Sequence, residues 1–403
     1  MATNNGLPVG ITNLPPEMIE LIASFMYIKE LAPFRRSCKY ICDSSFTSFR
    51  SSNFQSVTTD LSVNSLARIE KIAGDGRFAG YVEEMVVDMQ NLAENTRGFE
   101  WIQEFFASGD HPQVQQLRRT LQSWHRCRSF RLNRRQKEND KCPEYTLGVV
   151  ICMIDFLVHD LQRYVKEYTL VDLSGWDLEL EPDHKTLTVP GRRGPVWANL
   201  WSSVESLRIE CRAEGDSFTG EFGMLALYQT FQSRALRRLS LNLCHGDAAS
   251  FMVNWAISTR LDCQLEQLDL WGAHQIDSKS LRDFLHQHRQ SLRRLSLKEL
   301  RVEAGGWRTT LDLMADELGD LQSVALSDLT ETSLPLAKYV DWATLIGNDI
   351  IDQQTRSTIQ FYLDDTGLFP RVVLEVDYEG PRMDVALRKL ACLCTVSSPL
   401  DWW

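Results

Sequence analysis

The sequence predicts an α/β fold in which a small all-α module at the N-terminus precedes an irregular solenoid of repeats, with parallel strands on the concave side and helices on the convex side. Two observations support this prediction. Apolar residues recur at helical spacing near the N-terminus. An alternating, strand-like apolar pattern recurs at nearly regular intervals in the second half of the chain. We therefore expect three segments, 1–64, 65–330 and 331–403, of which the last caps the solenoid.

The composition is that of an ordinary globular protein with an acidic balance. The chain has 403 residues, of which 43% are apolar and 24% are charged, so it is long enough to bury a substantial core. Its formal net charge of −11 disfavours general binding to nucleic acid or to an anionic membrane. We therefore expect other proteins as its partners.

No segment has the composition of a membrane span or of a secretion signal. The longest apolar stretch covers residues 149–158 and is interrupted by Asp155, whereas a membrane helix needs about 20 apolar residues. The first residues lack the basic start and the apolar run of a signal peptide. We therefore expect a cytoplasmic or nuclear protein whose cysteines stay reduced.

The ten cysteines do not predict a metal site. No two of them form a Cys-x-x-Cys pair, and the close pair Cys392 and Cys394 lies in an apolar, helix-like stretch. Small buried hydrophobic side chains explain this pattern better than metal ligation or redox chemistry does. We expect neither a metal nor another cofactor.

The N-terminal module is predicted to contain two or three short amphipathic helices. Pro15 and Pro16 suit a first helical turn, and Glu17 complements the positive helix N-terminus. Two apolar stripes follow, and Pro33 is expected in the first turn of the second helix. A segment this short rarely buries all its apolar residues alone, so it packs either on the rest of the chain or on a partner. The stripes are Met18, Ile19, Ile22, Phe25 and Met26, then Leu31, Phe34, Cys38 and Ile41.

Residues 14–46 also carry an ordered motif. A Leu-Pro-x-Glu start, two hydrophobic residues and an isoleucine lead through a Glu-Leu pair to a Cys-Lys pair, without gaps. This order resembles the F-box, which joins substrate receptors to SCF-type ubiquitin ligases. The resemblance implies binding to the ligase adaptor and, through it, to a cullin. Departures from the family pattern are Pro33, Arg35, Arg36 and Ile41. The implied adaptor-binding residues are Leu14, Pro15, Ile19, Ile22, Leu31 and Cys38.

Residues 65–87, SLARIEKIAGDGRFAGYVEEMVV, resemble the segment that commonly follows the F-box in filamentous fungal proteins of this group. The sequence Gly74-Asp75-Gly76 within it lacks the Gly-Lys-Ser/Thr ending of a phosphate-binding loop. We therefore predict a simple turn at this place.

The pattern apolar-x-x-apolar-x-apolar recurs with near-constant spacing in the body of the chain. Clear copies start at Leu236, Leu265, Leu292 and Leu321, so the periods are 29, 27 and 29 residues. These periods match leucine-rich repeats, in which each unit supplies one short parallel strand and one helix. Looser copies are expected at Val82, Cys127, Tyr168 and Val204.

The repeat interpretation predicts both the register of the strands and the position of the helices. Leu239, Leu268, Leu295 and Val324 should occupy adjacent positions in one parallel sheet. Apolar stripes predict a helix in each of the three gaps between the clear copies. These stripes are Ala248, Phe251, Met252 and Trp255, then Leu281, Phe284 and Leu285, then Trp307, Leu311, Met314 and Leu318.

Residues between the inward leucines should line the concave face and bind the target. Trp271 beside several arginines has the composition of a protein-binding hot spot, and Arg238, Trp271, Arg294 and Lys298 should form one ladder at nearly equal register. A solvated scatter of charges, or a Trp271 covered by a loop, are the alternatives. The predicted substrate-binding residues are Arg208, Arg238, Asp269, Trp271, Arg294 and Lys298, and Arg131, Asp172 and Asn242 share their face.

Nine basic residues lie between Arg118 and Lys141, against the acidic residues Glu138 and Asp140. This segment could bind acidic or phosphorylated targets through charge-assisted hydrogen bonds. A solvated surface or a nuclear-localisation patch would explain the same composition.

The sequence contains no Gly-x-Ser-x-Gly elbow, His-Glu-x-x-His motif, P-loop or EF-hand loop. His286 and His288 are two residues apart, so on a helix they point to different faces and do not share a metal. Together with the resemblance to the F-box, which implies a substrate receptor of a ubiquitin ligase, these absences favour a non-catalytic role. The alternative is a repeat-based protein-interaction scaffold that acts outside ubiquitin ligation.

Overall fold

The computed structural model describes residues 10–88, 111–133, 154, 157–171, 203–210, 233–243, 247–303, 306–327, 329–333, 336–341, 359–362, 375–379, 383–393 and 395–397. The chain divides into two compact units, Met1–Arg131 and Leu132–Trp403. Helices and parallel strands alternate along the chain, so the predicted α/β class is confirmed. Within the described residues, no helix is long and apolar enough to cross a membrane.

The first unit begins with four short helices, and the predicted short helices of residues 14–46 are therefore confirmed. Both of the first two helices contact both of the next two, and Ile19, Ala23, Leu31 and Ile41 are buried among them. The helices are α1 (Pro16–Ser24), α2 (Ile28–Arg36), α3 (Lys39–Ser44) and α4 (Phe46–Phe54).

Pro33 lies in the middle of α2, and its predicted place in the first turn is wrong because α2 begins earlier, at Ile28. The Glu30 carboxylate accepts a hydrogen bond of 3.3 Å from the Tyr27 backbone N–H, which stabilises that early start. Proline has no N–H, so α2 lacks the hydrogen bond that this position would donate to the carbonyl of Lys29.

The remainder of the first unit adds strands and two longer helices. The first two strands pair in parallel, and the two longer helices contact each other. Asp75 separates two helices and accepts a hydrogen bond of 2.9 Å from the Arg77 N–H, as expected for a simple turn. The elements are β1 (Ser56–Thr59), α5 (Val63–Gly74), α6 (Gly76–Ala79), β2 (Glu84–Asp88), α7 (Pro112–Ser123) and β3 (Ser129–Asn133).

Aromatic rings and arginines connect α4 to the segment that follows α5. The Arg50 guanidinium lies 3.7 Å from the centre of the Tyr81 ring, and the Phe54 and Phe78 rings stack with centroids 4.2 Å apart. Each desolvated cation–π contact contributes about 1–2 kcal/mol. Helix α4 therefore packs against residues 78–81.

The second unit contains strands β4 to β15 and helices α8 to α11. In chain order they are β4 (Glu167–Val171), β5 (Ser206–Glu210), β6 (Arg238–Asn242), α8 (Asp247–Ser258), β7 (Gln267–Trp271), α9 (Ser278–Gln287), β8 (Arg294–Lys298), β9 (Arg301–Glu303), α10 (Gly306–Glu317), β10 (Ser323–Ser327), β11 (Thr330–Ser333), β12 (Leu336–Asp341), β13 (Ile359–Tyr362), β14 (Glu375–Glu379), α11 (Met383–Leu393) and β15 (Thr395–Ser397).

Strands β4, β5, β6, β7, β8 and β10 are parallel neighbours in that order. Leu239 pairs with Leu268, Leu268 with Leu295, and Leu295 with Val324. The predicted register is therefore confirmed. The second and fourth residues of each of these strands are buried, and each such leucine stabilises the fold by about 1.5–3 kcal/mol.

The looser copies start where predicted, with one exception. Val82, Cys127 and Val204 precede their strands by the same interval as Leu236 precedes β6. The predicted start at Tyr168 is wrong, because Tyr168 pairs with Leu207, which is the second apolar residue of its own copy. The first apolar position belongs to Val165, which is also buried.

Helices fill the gaps between the clear copies, as predicted. Adjacent helices in the series α8, α9, α10 and α11 contact each other, so they cover one face of the sheet. Phe251 was expected in the core but is 63% exposed, while its neighbours Met252 and Val253 are buried.

Antiparallel strands end the parallel series. Strand β14 pairs antiparallel with β10, and β13 pairs antiparallel with β14. A second sheet of four strands has the order β15-β12-β11-β9. Strands β14 and β13 therefore end this sheet, and helix α11 follows β14 in the chain.

Charged residues of alternating sign precede the strands β4 to β8. The backbone carbonyl of each accepts hydrogen bonds from two N–H groups at the start of the next strand. Lys166 pairs with Glu205, and Arg237 lies 3.9 Å from Glu266. In chain order the series is Lys166, Glu205, Arg237, Glu266 and Arg293.

Candidate functional site

An apolar surface remains exposed on the first unit. Phe25 is 81% exposed and Tyr27 is 79% exposed. Met18, Leu21 and Phe25 lie on one side of α1, because residues three and four positions apart share a helix face. We call this set, Met18, Leu21, Phe25, Tyr27 and Ile28, the α1 surface. Exposed apolar groups of this size mark a candidate protein-binding site.

Four of the predicted adaptor-binding residues lie at or near the surface. Pro15 is exposed at the start of α1, and Leu14 and Ile22 are half-buried. The Leu14 carbonyl accepts a hydrogen bond of 2.8 Å from the Tyr40 hydroxyl. Cys38 is half-buried, and its Sγ accepts a hydrogen bond of 3.5 Å from the Ile41 N–H at the start of α3.

The other two predicted adaptor-binding residues, Ile19 and Leu31, are fully buried inside the first unit. They support α1 and α2 from the core side. The sequence pattern did not distinguish them from the α1 surface, because α1 has apolar residues on both its inner and its outer side. The signal that could have identified the surface is the excess of apolar residues over what one helix face can bury.

The outward face of the parallel sheet contains the predicted substrate-binding residues. The first, third and fifth residues of each strand alternate with the buried second and fourth residues, so their side chains point away from the helices. The strand register arranges them in three rows across β6, β7 and β8. The rows are Arg238, Gln267 and Arg294, then Ser240, Asp269 and Ser296, then Asn242, Trp271 and Lys298.

The expected single ladder of Arg238, Trp271, Arg294 and Lys298 is therefore wrong. Arg238 and Arg294 lie in the first row, on either side of Gln267, whereas Trp271 and Lys298 are neighbours in the third row. The sequence predicted the correct face, but the four residues occupy opposite ends of their strands. Trp271 is 42% exposed.

Several of the predicted cations on this face bind carboxylates of the same sheet. Arg238 donates a hydrogen bond to Glu167, and Arg208 forms an ion pair with Glu210. In the first unit, Arg131 lies 3.3 Å from Glu84. Asp172 lies outside the described residues. Sequence reasoning missed the two acidic partners in β4 and β5, which are themselves part of the outward face.

Asp269 is the central residue of the three rows. Burial raises the pKa of its carboxyl group, because the carboxylate loses contact with water. A hydrogen bond of 2.9 Å from the Gln267 amide and the positive charges of Arg208 and Lys298 lower that pKa in opposition. The carboxylate is thus a partly desolvated hydrogen-bond acceptor at the centre of the outward face.

The described part of the basic segment contains both engaged and exposed cations. Arg119 forms an ion pair of 3.0 Å with Glu70, and Arg118 also has an interaction partner. Arg126 and Arg128 are exposed. Residues 134–141, which hold the remaining basic residues of the segment, lie outside the described residues.

The described residues include no cluster of His, Cys, Asp and Glu that could hold a metal ion. Cys38, Cys42, Cys127 and Cys263 are reduced cysteines. Burial raises the pKa of the Cys263 thiol to about 11, which makes it unreactive at neutral pH.

Comparison with known proteins does not assign the chain to a family. No protein-family model matches the sequence, and no curated protein matches it.

Proposed function

We propose that this protein is the substrate-recognition subunit of an SCF-type E3 ubiquitin ligase. The four N-terminal helices form an F-box that docks on the adaptor subunit, and the adaptor connects it to the cullin. The repeats of the second unit form a leucine-rich-repeat solenoid that holds the target protein. The protein contributes positioning, and the chemistry of ubiquitin transfer belongs to other subunits.

The α1 surface is the observation that carries this proposal. A docking module needs exposed apolar side chains that a partner can desolvate, and large aromatic residues supply most of the binding energy in such interfaces. Phe25 and Tyr27 are more than three-quarters exposed, and they lie within residues 14–46, which carry the motif. The repeats support the second half of the proposal, because their register produces one continuous outward face.

A repeat-based scaffold that acts outside ubiquitin ligation is the second candidate. It is favoured by one observation, the complete burial of Ile19 and Leu31 within the first unit. In that case the motif stabilises the fold of its own chain, and the α1 surface binds a protein other than the ligase adaptor.

Replacing both Met18 and Phe25 by alanine tests the ligase proposal. Both side chains are exposed, so the variant should fold normally. We expect its affinity for the SCF adaptor, measured by calorimetry with the full chain, to fall at least about tenfold, which corresponds to about 1.4 kcal/mol. Leu14→Ala with Pro15→Ala should have an effect of the same direction.

Val63→Ala is the matched control, because Val63 is an exposed apolar residue on α5 of the same unit. Its adaptor affinity should equal that of the wild type. Affinity purification under native conditions should recover both the adaptor and the cullin with the wild-type protein. If neither is recovered and purified adaptor does not bind, the ligase proposal is wrong and the scaffold remains.

A further inference from the structure

Short side chains occupy the middle row of the outward face, between two rows of longer ones. Ser240, Asp269 and Ser296 are neighbours in β6, β7 and β8. Parallel strands lie about 4.8 Å apart, so these three side chains span about 10 Å. An extended peptide advances about 3.3–3.6 Å per residue. The middle row therefore has the length of about three residues of an extended segment laid across the strands.

The charges on this face are nearly balanced. Counted over the five strands β4 to β8, the outward face holds four positive charges, Arg208, Arg238, Arg294 and Lys298, against three negative ones, Glu167, Glu210 and Asp269. Glu167 and Glu210 are already engaged by Arg238 and Arg208. A strongly acidic target segment would meet Asp269 at the centre, and a strongly basic one would meet the surrounding cations. An uncharged segment avoids both costs.

The Asp269 carboxylate can accept a further hydrogen bond from a neutral donor. It is half-buried, and its described side-chain hydrogen bond comes from the Gln267 amide at 2.9 Å. A backbone N–H of a bound segment would satisfy the carboxylate without adding a charge to the site. The hydroxyl groups of Ser240 and Ser296, on either side, can donate to or accept from the same backbone.

Trp271 supplies an apolar contact beside this polar row. It is partly exposed at the end of β7, and Asn242 and Lys298 flank it in the third row. A large aromatic ring beside polar groups is the usual composition of a binding hot spot.

We propose that the outward face of β6, β7 and β8 binds an extended, uncharged peptide segment of the target protein, whose backbone lies along Ser240, Asp269 and Ser296 and whose apolar side chain packs on Trp271. This inference rests on the proposed function, since it names the class of target segment. It also predicts that recognition requires no phosphorylation of that segment.

Three pools of synthetic peptides of equal length test the proposal with the full-length protein. The first pool is uncharged around a central leucine or tryptophan; the second carries phosphoserine or glutamate beside that residue, and the third carries arginine. Fluorescence anisotropy should show the tightest binding for the uncharged pool, with little change between low and high salt, because screening acts on charged contacts. A preference for either charged pool would overturn the proposal, as would failure of all three pools to bind.

Trp271→Ala should weaken binding of the best uncharged peptide at least about tenfold. Phe251→Ala is the matched control, because Phe251 is an exposed aromatic residue on α8, away from the outward face of the sheet. Equal peptide affinity of the wild type and the Trp271 variant would refute the packing of an apolar peptide side chain on Trp271. The Met18 and Phe25 double variant should keep its peptide affinity, so loss of adaptor binding and loss of peptide binding are separate outcomes.

Discussion

A single buried histidine makes the stability of the second unit depend on pH. His288 is 2% exposed, its Nε2 has no hydrogen-bond partner among the described residues, and its ring contacts the Phe284 ring with centroids 4.8 Å apart. Burial lowers the pKa of His288 from 6.5 to about 4, because the protonated imidazole would lose its hydration. His288 therefore stays neutral in the folded protein at physiological pH.

Below pH 6.5 the unfolded chain takes up a proton at this residue, and the folded protein does not until the pH approaches about 4. The contribution of neutral His288 to the free energy of unfolding is therefore fully present above pH 6.5. Below that pH the free energy of unfolding falls by about 1.4 kcal/mol per pH unit. The free energy of unfolding can be measured with urea at neutral pH and at about pH 5. Between these two conditions we expect it to fall about 2 kcal/mol more for the wild type than for His288→Leu. Equal losses in both proteins would contradict the assignment.

Gly306, at the start of α10, allows a close approach between three elements. A Cβ atom added there would lie 2.8 Å from the Ser278 Cβ and 2.9 Å from the Val302 Cγ2. We expect Gly306→Ala to lower the free energy of unfolding by about 1–3 kcal/mol, as overpacking does in other cores. Gly319→Ala is the matched control, because no atom of the described part of the chain lies within 4 Å of its added Cβ. Urea denaturation measures both, and equal stability of the two variants would contradict the crowding at Gly306.

At the scale of the elements, the repeat pattern predicted the strands and their register well. The leucines at fixed spacing can be buried together only if equivalent positions pair, so Leu239, Leu268 and Leu295 had one consistent arrangement. The copy at Tyr168 was misplaced because Val165 and Tyr168 are both apolar. From the sequence alone, either residue could be the first apolar position of the copy. Phe251 was misplaced because α8 has apolar residues on more than one side, and tertiary contacts decide which side faces the core.

Leu268→Asp tests the stacking of the repeats. Leu268 is fully buried in β7, between Leu239 and Leu295, so the carboxylate would lack both water and a partner. We expect a loss of about 3–5 kcal/mol in the free energy of unfolding, or no folded protein. Ser323→Asp places the same group on the outward face of β10, where it should cost under about 1 kcal/mol. Circular dichroism with urea unfolding distinguishes these outcomes, and a small effect at Leu268 would refute the stacked core.

The candidate site was predictable in position but not in its electrostatics. Arg238 binds Glu167, which is 71 residues away in sequence and two strands away in the sheet. Neither residue carries a signal of that pairing in its own neighbourhood. Alternation along each strand predicted which residues point outward, whereas their neutralisation depends on partners in other strands.

At the scale of the whole chain, the contacts that sequence reasoning missed join distant segments through short strands. The second sheet of the second unit pairs β9 with β11, and β12 with β15. Strands of three residues, such as β9 and β15, are too short to show an alternating pattern. The first unit presents the same difficulty, since Phe54 and Phe78 stack although no repeat relates them.

The alternating charges before β4 to β8 favour the pairing of consecutive strands over a pairing that skips one strand. The strands have nearly identical apolar patterns, so hydrophobic burial alone would allow β6 to pair with β8 and omit β7. That error would place Arg237 beside Arg293, a like-charge contact in place of the Arg237 and Glu266 pair. Neighbours one repeat apart attract each other, and neighbours two repeats apart repel.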